Sequence, residues 1–137
     1  MDIPDRRMGG AAFNDSPQLM AAITPDGVLT VVNAAWERAL GYRMDELAGR
    51  KLARLVDDAD RATVRKLINA RADGLIELAL RCKDGSYRAF EWEGRRVAGE
   101  QTIFITGKDV TDRRKLEVTQ SLRMYELYAE QARRRKT

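Results

Sequence analysis

Histidine is absent from the 137 residues. Without an imidazole there is no histidine-ligated haem, no histidine metal ligand, no Ser-His-Asp or Cys-His catalytic set and no histidine to accept a phosphoryl group. Cysteine occurs once, at Cys82, so no internal disulfide can form, and a reducing, cytoplasmic setting is the expectation. No apolar run approaches the roughly 18 residues a membrane span needs. The first thirteen residues mix charges and glycines without the apolar stretch of a secretory leader. Internal repeats and phosphate-cradling glycine loops are missing too. The carboxylates are scattered over loops and helix faces, which does not make a paired acid/base site, so no enzyme and no catalytic residue is expected.

What is present is ordinary for one soluble domain with a real core: 44% hydrophobic and 34% charged residues. The net charge of +4 is unevenly placed. Residues 1–110 hold 17 Lys/Arg and 17 Asp/Glu, whereas residues 111–137 hold 8 and 4, so the whole excess sits at the C-terminal end. A nucleic-acid surface needs a basic face with groove-reading or stacking residues. Here the charge is a tail, Arg133-Arg134-Arg135-Lys136, and a solvated helix end is the stronger reading.

Read in order, residues 1–13 form a polar N-terminal arm, expected to be ordered only against a partner, and residues 14–17 are turn chemistry. Residues 19–23 and 28–32 read as strands joined by Pro25-Asp26-Gly27, with proline setting φ and glycine allowing a positive one. Asn33 is placed to cap a short helix over 34–40, on which Trp36 and Leu40 share a face. Gly41 is its natural stop. A helical turn at 44–47 and a segment holding Leu52 and Leu55 follow. Asp57 or Asp58 then caps a helix over about 59–72, with Val64, Leu67 and Ile68 inward. In the strand over 75–82, Ile76, Leu78, Leu80 and Cys82 alternate onto one face. Asp84-Gly85 is a strong hairpin signal, and the strand over 87–97 puts Phe90 and Trp92 on one face. The sum is α+β, an antiparallel sheet of five strands with helices on one face.

The chain is organised around residues 103–116. Ile103, Phe104 and Ile105 suit a pleated, half-buried strand, and a long charged helix follows with almost no loop. Thr111 is a plausible N-cap, Asp112 suits the positive end of the helix dipole, and Arg114 stands where a capping box would want Glu or Gln. A strand joined directly to a helix couples the two mechanically. Farther along, Val118, Leu122, Tyr125, Ala129 and Ala132 step by 4, 3, 4 and 3, a short heptad seam for pairing two chains in parallel. Leu116, Met124 and Leu127 fall off that seam.

Several runs stand in a distinctive order and spacing: Asp26-Gly27; Asn33-Ala34-Ala35-Trp36-Glu37-Arg38-Ala39-Leu40-Gly41-Tyr42; Glu46-Leu47-Ala48-Gly49-Arg50; Asp58-Ala59-Asp60-Arg61; Arg81-Cys82-Lys83-Asp84-Gly85-Ser86-Tyr87-Arg88; and Gly107-Lys108-Asp109-Val110-Thr111-Asp112-Arg113. Together they resemble the PAS sensory domain family. The resemblance covers about residues 15–113. It implies a five-stranded antiparallel sheet, a ligand-sized cavity between sheet and short helices, a PAS core over 14–110, and a C-terminal signalling helix over 111–137. Asp109 and Thr111 match the family's Asp-x-Thr junction, where signal coupling is expected. The implied protein is a homodimeric module of a two-component or cyclic-dinucleotide system, with the kinase or cyclase in a longer chain or in trans; the rival expectation is a cofactor-free docking adaptor.

The departures limit the cofactor. Gly49-Arg50-Lys51-Leu52-Ala53-Arg54-Leu55-Val56 stands where light-sensing members carry the flavin-reactive cysteine, and Leu52 takes its place, so covalent flavin chemistry is excluded. No cofactor is the main expectation, while a non-covalent flavin or another small molecule stays compatible with the sequence. Trp36, Leu52, Leu78, Leu80, Phe90, Trp92 and Phe104 are the residues expected to line the pocket or fill the core. Cys82, on an apolar face, reads as an inert packed thiol.

Overall fold

A computed structural model of the chain describes residues 10–69, 75–96 and 99–135. The elements run α1 (Gly10–Asp15), β1 (Leu19–Ile23), β2 (Leu29–Val32), α2 (Ala35–Leu40), α3 (Met44–Leu47), two 3₁₀ turns (Leu52–Leu55 and Asp58–Asp60), α4 (Arg61–Asn69), β3 (Ile76–Arg81), β4 (Tyr87–Arg96), β5 (Ile103–Asp109) and α5 (Thr111–Arg135). The strands form one antiparallel sheet in the order β2-β1-β5-β4-β3. The α+β architecture expected from the pattern is the one observed. The expected helix over 59–72 starts with a 3₁₀ turn, and its last three residues, the Asp73-Gly74 stop and Val97 of the expected strand lie outside the described residues.

Alternation along the strands builds the core on one face. Leu19, Ala21 and Ile23 of β1, Ile103 and Ile105 of β5, Phe90 and Trp92 of β4, and Leu78 and Leu80 of β3 are all buried there. Trp36 and Leu40 of α2, Leu47 of α3, Leu52 and Leu55 of the first 3₁₀ turn, and Val64 and Leu67 of α4 close the other side. Gly41 stops α2 in the left-handed conformation at φ 87°, returning its amide to the Glu37 carbonyl, as the sequence suggests.

Three details differ from the sequence reading. Asn33 does not cap α2, because its fully buried side chain is committed elsewhere: its amide donates to the carbonyls of Phe13 (2.8 Å) and Gln18 (2.9 Å), and its carbonyl accepts from the Met20 amide (3.0 Å). It is a staple between α1, β1 and the end of β2. The side chain that meets the Ala34 amide belongs to Asn14, at 3.0 Å. Second, not every helix lies on the core face. Phe13 of α1, within the stretch expected as an arm, is buried against Ala22, with Met20, Val31 and Phe104 around it, on the opposite face of the sheet. Third, Phe104 was expected with the pocket or core residues. It points away from them because it sits one residue out of phase with Ile103 and Ile105.

Candidate functional site

The junction between β5 and α5 is the densest polar arrangement at the end of the sheet. Asp109 closes β5 in register with Phe90 of β4. Its carboxylate receives three donors from two elements. Arg88 Nε of β4 donates to Oδ2 at 2.6 Å, while the Thr111 amide (2.9 Å) and hydroxyl (2.6 Å) donate to Oδ1. The guanidinium of Arg88 also makes this an ion pair, partly shielded from solvent on both sides. Thr111 Oγ1 in turn accepts from the Ala89 amide of β4 at 2.9 Å, and the Val110 amide donates to the Ala89 carbonyl at 2.8 Å. Residues 109–111 are therefore stitched to β4 on both sides of the turn.

This geometry reverses the capping expected from the sequence. Thr111 is the first residue of α5, and its hydroxyl faces the strand rather than the helix amides. Asp109 satisfies the orphan amide of Thr111, while the Val110 carbonyl accepts the first helical bond from Arg114 at 2.9 Å. Burial pushes the Asp109 carboxyl up, but the donors from Thr111 and Arg88 together outweigh it and leave it below the ordinary carboxylate value. The same pair holds the Arg88 guanidinium above its usual range.

A second set of charges clamps the next turn of α5 to the outer face of the sheet. Arg113 meets Glu91 of β4 at 2.6 Å, and Arg114 meets Glu77 of β3 at 2.8 Å. Glu117 pairs back to both arginines along the helix, at 3.6 and 3.1 Å. The Arg113 hydrogen bond draws the Glu91 carboxyl below its ordinary value. A cleft of about 460 Å³ opens at the junction, lined by Arg88, Lys108, Asp109, Val110, Asp112 and Arg113.

Beyond these contacts α5 stands clear of the domain. It runs for 25 residues, about 37 Å at 1.5 Å per residue. Leu116, Val118, Leu122, Met124, Tyr125, Leu127 and Tyr128 are all exposed, Tyr125 to 72%. Among the described residues no helix is long and apolar enough to cross a membrane, and no group of three or more metal-ligating side chains could hold an ion.

The interior is occupied by ring systems. Trp36, Phe90 and Trp92 are fully buried and touch, with Trp92 centroids 5.8 Å from Trp36 and 5.6 Å from Phe90. Each indole N–H has a partner: Trp36 donates to the Met20 carbonyl and Trp92 to the Leu78 carbonyl. Leu52, Leu78 and Leu80 complete this packing, so six of the seven pocket-or-core candidates lie together and Phe104 does not. Cys82 is buried beside the Ala39 carbonyl. The sequence reading singled out Asp109 and Thr111 but missed Arg88, Glu77 and Glu91. Arg88 carried a signal, because it shares the alternation phase of Phe90 and Trp92, and a cation on an apolar face implies a counter-charge.

A five-stranded antiparallel sheet whose last strand runs through an Asp-Val-Thr turn into a projecting helix is the architecture of a sensory α+β domain. The chain belongs to the PAS fold family, which matches residues 13–115. A curated relative, the methyl sulfide methyltransferase-associated sensor of Methanosarcina acetivorans, is 32% identical over 104 residues, 72% of this chain. The chain spans a tenth of that relative's length. Among solved structures, a domain of a sensory box sensor histidine kinase/response regulator from Geobacter sulfurreducens superposes with a TM-score of 0.61 at 18% identity, covering 71% of this chain and 87% of that one. The PAS domain of the RpfR quorum-sensing receptor from Cronobacter turicensis, in complex with C12:0, gives 0.59 at 18%, covering 70% and 96%.

Proposed function

We propose that this chain is a cytoplasmic signal-sensing and dimerisation module whose output leaves through α5. Two copies pair along the seam of Val118, Leu122, Tyr125, Ala129 and Ala132. A change in the sheet reaches an effector through Asp109 and Thr111. The effector is a histidine kinase or a cyclic-dinucleotide enzyme, in a longer chain or in trans. One observation carries this reading: a single carboxylate, Asp109, anchors both Arg88 of β4 and the first amide of α5, so strand and helix share one attachment. The relatives are consistent with it. One is named a sensor and is about ten times longer than the matched region, and another is a domain of a sensor histidine kinase.

The packed interior favours a second reading, in which the module docks and dimerises without a ligand and responds to conformational input. A ligand such as the C12:0 held by the Cronobacter turicensis domain, taken into the interior here, would displace two indoles that each donate to a backbone carbonyl. Native mass spectrometry of the purified chain separates the two. A dimer carrying extra mass supports ligand gating, and a bare dimer supports the docking unit. Sedimentation of Leu122→Glu/Tyr125→Glu then tests the seam. The variant should be monomeric with its sheet intact by circular dichroism; a wild-type monomer at every concentration, or a variant that stays dimeric, would remove pairing through α5.

A further inference from the structure

The first 3₁₀ turn and the residues before it carry a feature that neither the junction nor the helix seam uses. Gly49, Arg50, Lys51 and Arg54 line an open cleft of about 380 Å³. Its wall brings together three cations, all exposed, and no carboxylate. Among the described residues none of the three makes an ion pair, although Arg43, Arg61, Lys83, Arg88, Arg113 and Arg114 all do. The acids nearest in sequence are engaged elsewhere. Glu46 holds Lys83 and the Arg43 amide, Asp57 accepts from the Tyr87 hydroxyl, and Asp58 pairs with Arg61.

The backbone under these charges is fixed, so they cannot move apart by swinging the turn. The Arg50 amide and carbonyl are bonded to Leu47 and Leu29, and the Leu29 carbonyl also takes the Gly49 amide. Lys51 bridges to Val28. The Arg54 carbonyl accepts from Arg81 of β3 at 2.7 Å. Leu52 between the cations and Leu55 just after Arg54 are buried in the core. Like charges held together without a counter-charge destabilise the fold in proportion to their proximity, and a bound anion reverses the sign of that interaction.

We propose that this cleft binds a compact polyphosphate, the chemistry of a pyrophosphate ion or of a nucleotide's phosphate tail. Guanidinium groups match phosphate oxygens in a two-pronged geometry, and the lysine adds a mobile point charge. Two arginines and a lysine around one concave site suit two or more adjacent phosphates. The charge is confined to six consecutive residues, 49–54, which is too short a track for a nucleic-acid backbone and too concave for a flat lipid surface. The proposal goes beyond the pairing and output described above and does not depend on them. The bonds from this segment to Leu29 of β2 and from Arg81 of β3 give a bound anion a direct route to both edges of the sheet.

Isothermal titration of the full chain with inorganic pyrophosphate, and separately with ATP, tests it. Saturable binding is expected, weakening with added salt. Arg50→Gln/Arg54→Gln should bind about tenfold or more weakly, while Arg50→Lys/Arg54→Lys keeps part of the affinity. Arg123→Gln, on exposed α5, should be unchanged. All the substituted side chains are exposed, and a thermal midpoint no lower than that of wild type confirms that the variants fold. Three results overturn the proposal: no saturable binding of either probe, an equal loss in Arg123→Gln, or sedimentation of the chain with vesicles of equal phosphatidylserine and phosphatidylcholine that pyrophosphate does not reverse.

Discussion

Trp92 lies flat against the bare backbone of its register partner Gly107: a methyl group on Gly107 would stand 2.7 Å from the indole ring. The ring has no room to retreat, because Trp36 and Phe90 pack on it and its N–H is held by the Leu78 carbonyl. Gly107→Ala should therefore destabilise the domain by about 1–3 kcal/mol, the usual range for overpacking a closed core. It should also alter the near-ultraviolet circular dichroism of the tryptophans. Urea unfolding checks the first effect, and a midpoint equal to wild type would mean that the sheet yields instead of the ring.

Asn33 makes a stronger demand. Its side chain satisfies three backbone groups from two separate segments, the carbonyls of Phe13 and Gln18 and the amide of Met20. Asn33→Ala strands all three, and at about 1–3 kcal/mol for each buried group left unpaired the total loss should reach about 3 kcal/mol or more. Asn33→Asp keeps the acceptor but loses both donated bonds, so it should fall between. Chemical denaturation of the two variants gives the order, and an Asn33→Ala loss no larger than a surface substitution would refute the staple.

Local pattern was enough to place the sheet, most of its core face and the strand-to-helix hand-over. Leu78, Leu80, Phe90 and Trp92 alternate cleanly, and Gly41 and Asp84-Gly85 punctuate the chain where a stop and a turn are needed. The polar partners were not legible, because they join residues far apart in sequence. Asn33 is a good local cap, but three buried backbone groups outcompeted the helix end for its side chain. Thr111 likewise offers a cap hydroxyl, yet the strand beside it supplies the Ala89 amide, and Asp109 takes over the helix. Phe104 failed for another reason: an aromatic on a strand between two isoleucines says nothing about which face α1 will cover.

The junction should be sensitive to acid. The folded state favours the charged form of Asp109, since the donors from Thr111 and Arg88 outweigh burial and lower its carboxyl below the ordinary 3.8. Its contribution is thus fully present above that value and is lost as the pH falls through the lower, folded one. A carboxyl-carbon NMR titration should place the Asp109 midpoint below the ordinary value, and Arg88→Gln should move it upward. A wild-type midpoint at or above the ordinary value would contradict the assignment. At neutral pH, Asp109→Ala should speed amide exchange over residues 112–125 while leaving the sheet protected; unchanged exchange there would separate strand from helix.

The second clamp should respond to salt rather than to acid near neutrality. Arg113 and Arg114 hold the start of α5 to Glu91 and Glu77 through side chains that are roughly half exposed or less, and such pairs are screened as ionic strength rises. Neutralising both, in Arg113→Gln/Arg114→Gln, leaves the Asp109 anchor in place but removes the two contacts that fix the direction in which the helix leaves the sheet. At low salt, amide exchange over residues 112–117 should be faster in the double variant than in wild type. High salt should bring wild type towards the variant without changing the variant itself. Asp109→Ala should behave differently, with a difference that persists at high salt, because that carboxylate is partly buried and hydrogen-bonded to the backbone as well as to a cation. If salt erased both effects alike, the two contacts would be one electrostatic latch. If it erased only the first, α5 would be anchored by Asp109 and aimed by the arginines.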